Sequence, residues 1–447
     1  MKKIIFILLF TFPLFLEAQE EVKTYNLNLQ EAIDLGLKNN YSLLNATKDV
    51  EAAKHKKWET ITIGLPQINV GIDYLNNIKI QKSVVPAEFF GGNPGEFAEV
   101  EFGTKQNMNA RATLSQLIFD GSYLVGLESA RVYLKISENA KIKTQNEVKN
   151  IIIQAYTNVL LARESVLILE KNKQNINKNL FEANETYKNG LIEEENVEQL
   201  QITSLQINNS LQNAQRRAEI ALNMLKLVLG VSIKDTVLLK DELEQLVKSY
   251  SEENFVTNNF EVSNNIDFLI GLNNKESKRL LVKYEKSKYL PSLAANLNFG
   301  YNAFSNEFSF LNNNQKWFNY SNLGVGLNIP VFSSFGRNAK VQQAKIAEDQ
   351  AAIQLKETQE KLVLEWQQAY SDYTFSLEQL SSAKQNLRLA ERIEYKQQIK
   401  FKEGLSSSFE FTEAQRQLYA SQQNYLQAMV DVLHKKSALE KLNNYKN

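Results

Sequence analysis

The sequence contains no cysteine, two histidines, six prolines and 17 glycines among its 447 residues. Without cysteine the chain forms no disulfide and offers no thiol for N-terminal lipid attachment. The scarcity of proline and glycine, which interrupt helices and strands, predicts long uninterrupted elements. His55 and His434 stand alone, without a second ligand at metal-binding spacing, so no metal site is predicted.

The sequence also lacks an excess of charge of either sign, since 51 lysines and arginines face 51 aspartates and glutamates. A nucleic-acid-binding chain would carry a basic excess, so no nucleic-acid partner is predicted. There is no glycine-rich phosphate loop and no G-x-S-x-G nucleophile elbow. We therefore expect neither an enzyme nor a cofactor.

Residues 1–18 are predicted to be a secretory signal peptide. Two lysines precede an apolar run over 4–16 that Pro13 interrupts, and Ala18 ends a plausible cleavage site. The run is too short to favour a membrane-spanning helix, and no other segment approaches about 18 consecutive apolar residues. An exported chain of this kind is secreted, periplasmic, or inserted in the outer membrane as β-strands.

An internal repeat organises the rest of the chain. The segment 187–191 (YKNGL) resembles 401–405 (FKEGL), 214 positions later, and the Leu-Pro pair at 65–66 resembles that at 290–291, 225 positions later. The two offsets differ, which predicts a longer loop in the first copy around 79–105. The first repeat is predicted over 19–230, with a strand pair at 66–119 and a hairpin tip near 190. The second repeat is predicted over 261–447, with a strand pair at 291–332 and a hairpin tip near 404. A linker over 231–260 would join the two repeats.

Each copy contains two stretches in which apolar residues alternate with small or polar ones. The apolar positions are Ile68, Val70, Ile72 and Tyr74; Met108, Ala110, Ala112 and Leu114; Leu293, Ala295, Leu297, Phe299 and Tyr301; and Leu323, Val325, Leu327 and Ile329. This alternation is typical of half-buried strands. It fits a membrane barrel, apolar toward lipid and polar toward a lumen, and equally an ordinary antiparallel sheet with one hydrated face.

A very long helix is predicted after each strand pair. Apolar residues recur there at alternating spacings of three and four, a heptad seam that predicts coiled-coil packing. In the first copy the seam comprises Ile152, Ala155, Val159, Ala162, Val166, Leu169, Lys173, Ile176, Leu180, Ala183, Tyr187 and Gly190, with Lys173 as the misfit. The register recurs 214 positions later, weakened at Glu394 and Gln397. A helix from 121 to 190 would be about 100 Å long, so it must project from any membrane.

The predicted fold class is a mixed α+β membrane protein. Four strands cannot close a barrel, and open sheet edges are not tolerated in lipid. Strands from several chains would therefore share one transmembrane β-barrel, which the hairpins would continue as a long antiparallel α-helical coiled-coil barrel. Two chains would supply eight strands and three would supply twelve, and the sequence does not choose between them.

This layout resembles the TolC family of outer-membrane efflux proteins over nearly all of 25–443. The resemblance is carried by the LQEAI segment at 29–33, the Asn39-Asn40 pair, and the doubled Leu-Pro pairs and hairpin tips. It implies an unlipidated homotrimer in the lipid of the outer membrane, with twelve barrel strands and a periplasmic helical tunnel. It also implies a passive exit duct that docks to a periplasmic adaptor (membrane fusion) protein and to an inner-membrane transporter, which drives transport.

The resemblance assigns adaptor docking to the two hairpin tips. The matching residues are Asn189, Gly190, Leu191, Gly404, Leu405 and Ser406. Helix capping explains the same residues without a partner, because glycine suits the left-handed end of a helix and serine suits its start.

Glu410 and Glu413 match two acidic residues that line the tunnel mouth in the TolC family. A three-residue spacing places both on one helix face, and three chains would bring six carboxylates to one axis, where they would favour cations. The alternative is a capping box, Ser407-x-x-Glu410, in the first turn of a helix. The first copy holds Asn196 and Gln199 at the equivalent positions.

The closed entrance of the family can also be held by a polar network of tyrosine, arginine and aspartate. The matching positions here are Phe401, Ser406 and Asn196, none of which keeps its polar or charged partner. Either the entrance is looser, or apolar contacts hold it. We predict an apolar latch, within an entrance constriction that comprises Phe401, Leu405, Ser406, Asn196 and Gln199.

Aromatic residues near the strand ends predict belts at the two membrane surfaces, although local packing also explains them. The predicted outer set is Tyr301, Phe304, Trp317, Phe318 and Tyr320, and the inner set is Trp58, Tyr289 and Phe332.

Two other classes of protein compete with the duct. A soluble periplasmic coiled-coil adaptor or scaffold would use the hairpins for binding and the strands as a small sheet, and it would be extracted without detergent. A secreted adhesin-like rod fits the helices but not the strand faces rich in glycine and asparagine.

Overall fold

The computed structural model describes residues 22–252 and 260–443. The predicted signal peptide lies outside the described residues, as does the stretch 253–259 of the predicted linker. The described residues form two compact units. The first, called the helical unit, lies within Met1–Leu44, Thr144–Phe260 and Glu365–Asn443, and the second, called the strand unit, within Asn45–Lys143 and Glu261–Leu364.

Long helices alternate with shorter strands along the described chain. The strands are β1 (Thr24–Leu27), β2 (Gln67–Asn76), β3 (Lys82–Pro86), β4 (Phe97–Glu101), β5 (Gln106–Asp120), β6 (Thr236–Leu239), β7 (Ser292–Ser305) and β8 (Trp317–Asn328). The helices are α1 (Leu29–Asn39), α2 (Tyr41–Thr62), α3 (Gly121–Lys188), α4 (Glu194–Leu229), α5 (Leu243–Glu252), α6 (Ile266–Ser287), α7 (Gly336–Lys402) and α8 (Ser408–Asn443). The α3 and α7 helices have 68 and 67 residues, in keeping with the low proline and glycine content.

The strand unit is built on a four-stranded antiparallel sheet with the order β2-β5-β7-β8. Two strands come from each copy of the repeat, and the pairing of β5 with β7 joins the copies. One row across the sheet contains Ile68, Leu114, Leu297 and Leu323. Because side chains alternate between faces, the register collects the apolar positions of all four strands on one face.

The apolar face of this sheet is exposed. The exposed fractions of Ile68, Val70, Leu323 and Val325 lie between 63% and 76%. Removing apolar surface from water is favourable, so a contiguous face of this kind is stable only against lipid or another apolar surface.

The opposite face carries a ladder of amides and hydroxyls. One row on it contains Asn69, Thr113, Asn298 and Asn322. The Thr113 hydroxyl donates to Asn298 Oδ1 at 2.7 Å, and Asn298 Nδ2 donates to Asn322 Oδ1 at 2.9 Å. Side-chain hydrogen bonds thus cross from strand to strand, as in a wall that faces water.

The longer loop expected around 79–105 contains a hairpin of β3 and β4. The two strands pair from Lys82 with Glu101 to Pro86 with Phe97. The corresponding connection between β7 and β8, which is described throughout, contains no strand of its own. The two copies therefore differ in this loop, as the two offsets predict.

The belt prediction is wrong for three of the five outer aromatic residues, because they lie on the polar face. These three are Phe304, Phe318 and Tyr320. Tyr301 and Trp317 lie on the apolar face, where Tyr74 contacts the rings of Phe308 and Phe310 with centroids 5.8 and 5.9 Å away. Clustering near strand ends shows how far along a strand a residue lies. Which face of the sheet it occupies depends on whether its position in the strand is odd or even, because side chains alternate between faces. The predicted inner residues, Trp58, Tyr289 and Phe332, are 47–76% exposed.

The core of the helical unit joins α1, α3, α4, α5 and α8 to a parallel pair of β1 and β6. Tyr156 of α3 is fully buried there, and its hydroxyl donates to Asp241 Oδ2 at 2.8 Å. Burial raises the pKa of the Tyr156 hydroxyl, and Asp241 acts in the same direction, so the hydroxyl keeps its proton. The β6 and α5 elements of the predicted linker belong to this core.

The predicted heptad seam is buried or half-buried along most of α3, but Tyr187 and Gly190 at its end are exposed. Ile152, Leu169, Ile176 and Ala183 are at most 3% exposed. Lys173, the misfit in the seam, is half-buried and donates from its ammonium group to Asn208 Oδ1 of α4 at 2.8 Å. A hydrogen bond to the facing helix thus allows a cation to occupy a seam position.

The α3 helix also contains an 18-residue stretch that is apolar enough to cross a membrane, with a mean hydropathy of 1.3. Polar residues interrupt this stretch, so no run of consecutive apolar residues marks it in the sequence. Because 33% of it is buried within the protein and a buried core helix meets the same criterion, it is weak evidence for a membrane span.

Gly230 ends α4 in the left-handed region, with φ of 68°, against the backbone of Asn39. A Cβ atom at position 230 would lie 2.2 Å from Asn39 O, so Gly230→Ala should destabilise the protein beyond the cost of the backbone conformation. That conformation alone costs about 1–2 kcal/mol for alanine. The unfolding temperature of detergent-solubilised protein, followed by circular dichroism, measures the difference.

Gly190→Ala is the matched control for this variant. Gly190 has φ of 72°, but nothing lies within 4 Å of a Cβ atom built there. Gly190→Ala should therefore lower the unfolding temperature less than Gly230→Ala does. Equal shifts in the two variants would contradict the close contact with Asn39.

Candidate functional site

The first candidate site is the tip between α3 and α4. Gly190 adopts φ of 72°, and its amide donates to Tyr187 O at 2.8 Å. The Leu191 amide donates to Thr186 O at 3.1 Å. This pair of bonds is a Schellman motif, which satisfies carbonyl groups in the last turn of α3. The Leu191 side chain is 75% exposed.

The second tip, between α7 and α8, has the same backbone geometry. Gly404 adopts φ of 71°, and its amide donates to Phe401 O at 3.1 Å. The Leu405 amide donates to Lys400 O at 2.8 Å, and the Leu405 side chain is 77% exposed. Both glycines therefore fulfil the capping role that their repeated positions predict.

The start of α8 is capped by nearby side chains. Ser407 Oγ accepts a bond from the Glu410 amide at 3.3 Å, and Glu410 Oε2 accepts one from the Ser407 amide at 3.2 Å. These reciprocal bonds form the capping box considered as the alternative role of Glu410. The Ser406 hydroxyl also donates to Glu410 Oε2, at 2.6 Å. The bonds from Ser406 and then from Ser407 lower the pKa of Glu410, so its carboxylate remains ionised in mildly acidic solution.

A hydrogen bond and a buried ring join the two tips. Asn196 Oδ1 of α4 accepts a bond from the Ser408 amide at 3.1 Å, so a side chain of one hairpin caps a helix of the other. Phe411 is fully buried in a cluster with Val197. Phe401 stacks on Phe411, with ring centroids 5.3 Å apart and an interplanar angle of 9°. The ends of the two hairpins therefore share one small core.

Phe401 and Leu405, the pair predicted to form an apolar latch, differ in burial within one chain. Phe401 is half-buried against Phe411, whereas the exposed Leu405 is absent from the hydrophobic clusters of the described residues. The latch stays a prediction.

Glu413 lies beside a cleft of about 370 Å³ within the helical unit. It forms an ion pair with Arg416 on its own helix. Gln199, predicted for the entrance constriction, lines the same cleft. The other polar side chains of the lining include Asn172, Asn175, Gln206, Glu394 and Gln415. Among the described residues no group of three or more acidic or histidine side chains is placed to hold a metal ion.

Glu394 is a half-buried carboxyl in this cleft. Burial raises its pKa, and a side-chain hydrogen bond with Gln415 opposes the shift. In the sequence, Glu394 was recognisable only as a polar residue in the heptad seam of α7. Its contact with Gln415 of α8 depends on how the two helices pack, which the heptad spacing does not reveal.

The predicted site residues fall into three groups. Asn196, Ser406 and Glu410 bond around the first turn of α8, and Gln199 and Glu413 line the cleft. At the tips, Leu191 and Leu405 are exposed, and Asn189 Nδ2 donates to Glu185 O at 2.8 Å. Sequence reasoning missed Phe411, whose only signal is its place in the apolar stripe of α8.

A family model described as outer membrane efflux protein matches residues 32–231 and 264–444 of this chain. The matched segments include both strand pairs and both tips. No curated protein is similar enough in sequence to be matched.

Several solved structures share the fold. The outer-membrane channel CmeC of Campylobacter jejuni has 18% sequence identity and a TM-score of 0.73, over 93% of this chain and 85% of that one. The outer membrane protein VceC of Vibrio cholerae has 14% identity and a TM-score of 0.70, over 94% and 97% of the two chains. CusC, whose structures concern folding and transmembrane channel formation, has 18% identity and a TM-score of 0.74, over 94% and 93%. The predicted fold class and the resemblance drawn from the sequence are confirmed.

The raised pKa of Glu394 predicts that stability depends on pH with a definite sign. Between the ordinary and the raised pKa, the folded chain holds a proton that the unfolded chain releases, so stability falls as pH rises through this window. Above the raised pKa, the folded chain holds Glu394 as a half-buried carboxylate, which is unfavourable. Glu394→Gln should therefore raise the unfolding temperature at about pH 7 and change it little below about pH 4, where both states are protonated.

Glu391→Gln is the control for this experiment, because Glu391 is an exposed acid on the same helix. It should leave the pH profile of the unfolding temperature unchanged. If Glu394→Gln were no more stable than the natural protein at neutral pH, the buried carboxylate would be contradicted.

Proposed function

The chain belongs to the outer membrane efflux protein family, and from this premise we propose that it forms the exit duct of a tripartite efflux or secretion system. As a member of the family it is an outer-membrane protein and not an enzyme. The observation that carries the proposal is the four-stranded sheet, with an exposed apolar face and a hydrogen-bonded polar face. A wall that separates lipid from an aqueous lumen has this construction.

The duct is proposed to be a homotrimer. The β2 and β8 strands are the edges of the sheet, and each is bonded along one side within the chain. Pairing β8 of one copy with β2 of the next would leave no open edge in lipid. Three copies are favoured over two because eight-stranded barrels are filled by side chains, whereas twelve strands leave room for water.

Passage through the duct is proposed to be passive, from the periplasm to the exterior. The sequence contains no nucleotide-binding loop, so the driving energy is assigned to an inner-membrane transporter. A periplasmic adaptor protein would connect the two at the hairpin tips. Leu191 and Leu405 support this docking surface, because they are large, apolar and exposed where Gly190 and Gly404 end their helices.

Glu410 and Glu413 are proposed to line the mouth of the tunnel. They lie on the first turns of α8, three residues apart and both exposed. The capping box is compatible with this role, since it fixes the carboxylate of Glu410 and keeps it ionised. Asn196 and Gln199 are neutral at the equivalent positions, so at these two positions only the second hairpin of each chain carries carboxylates. Phe401, Leu405 and Ser406 would complete the constriction.

Replacing Glu410 and Glu413 together by glutamine should lower the cation preference of the channel and weaken block by multivalent cations. The reason is that carboxylates gathered around one axis attract cations, and Glu410 should contribute more than Glu413 because Arg416 pairs with Glu413. Single-channel recording in planar bilayers measures both properties. Glu403→Gln, which removes an exposed acid from the same tip, should leave them unchanged. Unaltered selectivity in the double variant would contradict the proposed mouth.

A soluble periplasmic coiled-coil adaptor or scaffold is the alternative, and extraction distinguishes it from the duct. The exposed apolar face of the sheet favours the duct, since a soluble protein would bury that face. We expect the natural protein to leave the membrane only in detergent and to purify as a trimer, as measured by light scattering. Release by salt or alkali as a monomer would instead support the soluble alternative.

A further inference from the structure

Two charged side chains stand out on the polar face of the four-stranded sheet. Asp73 and Arg111 are the only charged residues in β2, β5, β7 and β8, which the structure describes throughout, apart from Asp120 at the end of β5. They lie diagonally across β2 and β5, with Arg111 Nη2 3.3 Å from Asp73 Oδ2. This ion pair therefore dominates the electrostatics of a face made mostly of amides, hydroxyls and glycines.

Glycines beside this pair leave room for large side chains to lie flat against the sheet. Gly71 and Gly300 pair with Arg111 on its two sides. Tyr320 lies over Gly300, where a Cβ atom would come within 2.7 Å of Tyr320 Cζ. Asn109 Nδ2 donates to the Tyr320 hydroxyl at 3.1 Å and holds the ring in place. The residues next to Asp73 and Arg111 on the polar face are therefore packed so that the two charged side chains have space.

We propose that Asp73 and Arg111 form a charge-balanced ring inside the barrel that lets ions of either sign pass, and that loss of either charge makes the barrel ion-selective. The proposal rests on the trimeric duct proposed above, in which the pair occurs three times around one lumen. It assigns the barrel a control of permeation separate from that of Glu410 and Glu413.

The exposure of the pair supports a role in permeation. The side chains of Arg111 and Asp73 are 53% and 62% exposed, so both charges reach solvent on the polar face. An exposed ion pair contributes little to folding, so stability does not account for two charges on an otherwise neutral wall. Opposite charges 3.3 Å apart largely cancel at the distances of a lumen. An unpaired charge beside a low-dielectric wall would act on every ion that passes within a Debye length.

Reversal potentials across planar bilayers under a KCl gradient test the proposal. Asp73→Asn leaves three arginines unpaired and should shift the permeability ratio toward chloride by about threefold or more near 0.1 M salt, where the Debye length is about 10 Å. Arg111→Gln should shift it toward potassium by a similar factor. The double variant should return to the natural ratio. All shifts should shrink near 1 M salt, where the Debye length is about 3 Å.

Two further variants make the outcome decisive. Glu99→Gln removes one acid from β4, outside the sheet, and should leave the ratio unchanged. Exchange of the pair, with Asp73→Arg and Arg111→Asp, keeps the net charge of the ring at zero and should also leave the permeability ratio unchanged. This variant tests the ring even if a variant with one unpaired charge fails to assemble. Conducting single variants with the natural permeability ratio would overturn the ring but leave the duct intact. Failure of the natural protein to conduct would instead overturn the proposed duct.

Discussion

The four-stranded sheet has two open edges, and the need to satisfy their backbone hydrogen bonds is the main constraint on how this chain can exist in a membrane. The β2 and β8 strands have one bonded side each within the chain, and unpaired backbone groups in lipid would each be costly. Proteins that must keep such edges apart protect them with charge, proline or short length. These edges, with 10 and 12 residues, carry a single charge, Asp73, which belongs to the polar face. The lack of such protection and the exposed apolar face both support the proposed pairing of these edges between chains.

The two copies of the repeat differ where strand meets helix. In the first copy β5 passes directly into α3, and Asp120 Oδ1 accepts bonds from the amides of Ser122 and Tyr123 at 2.7 and 3.0 Å. In the second, a connection of several residues separates β8 from α7, and Ser334 and Phe335 adopt φ of 47° and 62°. Left-handed conformations of this kind cost about 1–3 kcal/mol each. The helices of the two copies thus share a register of 214 positions, although their connections to the sheet are not equivalent.

Features with a local period were predictable from the sequence, and features that depend on a partner element were not. Alternation over Ile68 to Tyr74 and the heptads after Ile152 follow from the geometry of a single strand or helix, so both appear in the structure. The glycine signals at the tips are equally local. The capping of α8 by Asn196 and the raised pKa of Glu394 depend on contacts between helices far apart in sequence. The belt prediction was wrong for Phe304, Phe318 and Tyr320 for a related reason, since clustering does not reveal which face a residue occupies.

The construction of the tips also restricts how they can move. Asn196 caps α8, and Phe411 is completely buried against residues of α3 and α4, so the hairpins are joined at their ends. Burying a phenylalanine side chain contributes about 1.5–3 kcal/mol, which parting the hairpins would largely forfeit. A motion that keeps this core intact must therefore carry both tips together. Leu191 and Leu405 lie outside the core and remain available to a partner. If the proposed entrance opens, this shared core favours a motion between chains over one that parts the two hairpins of one chain.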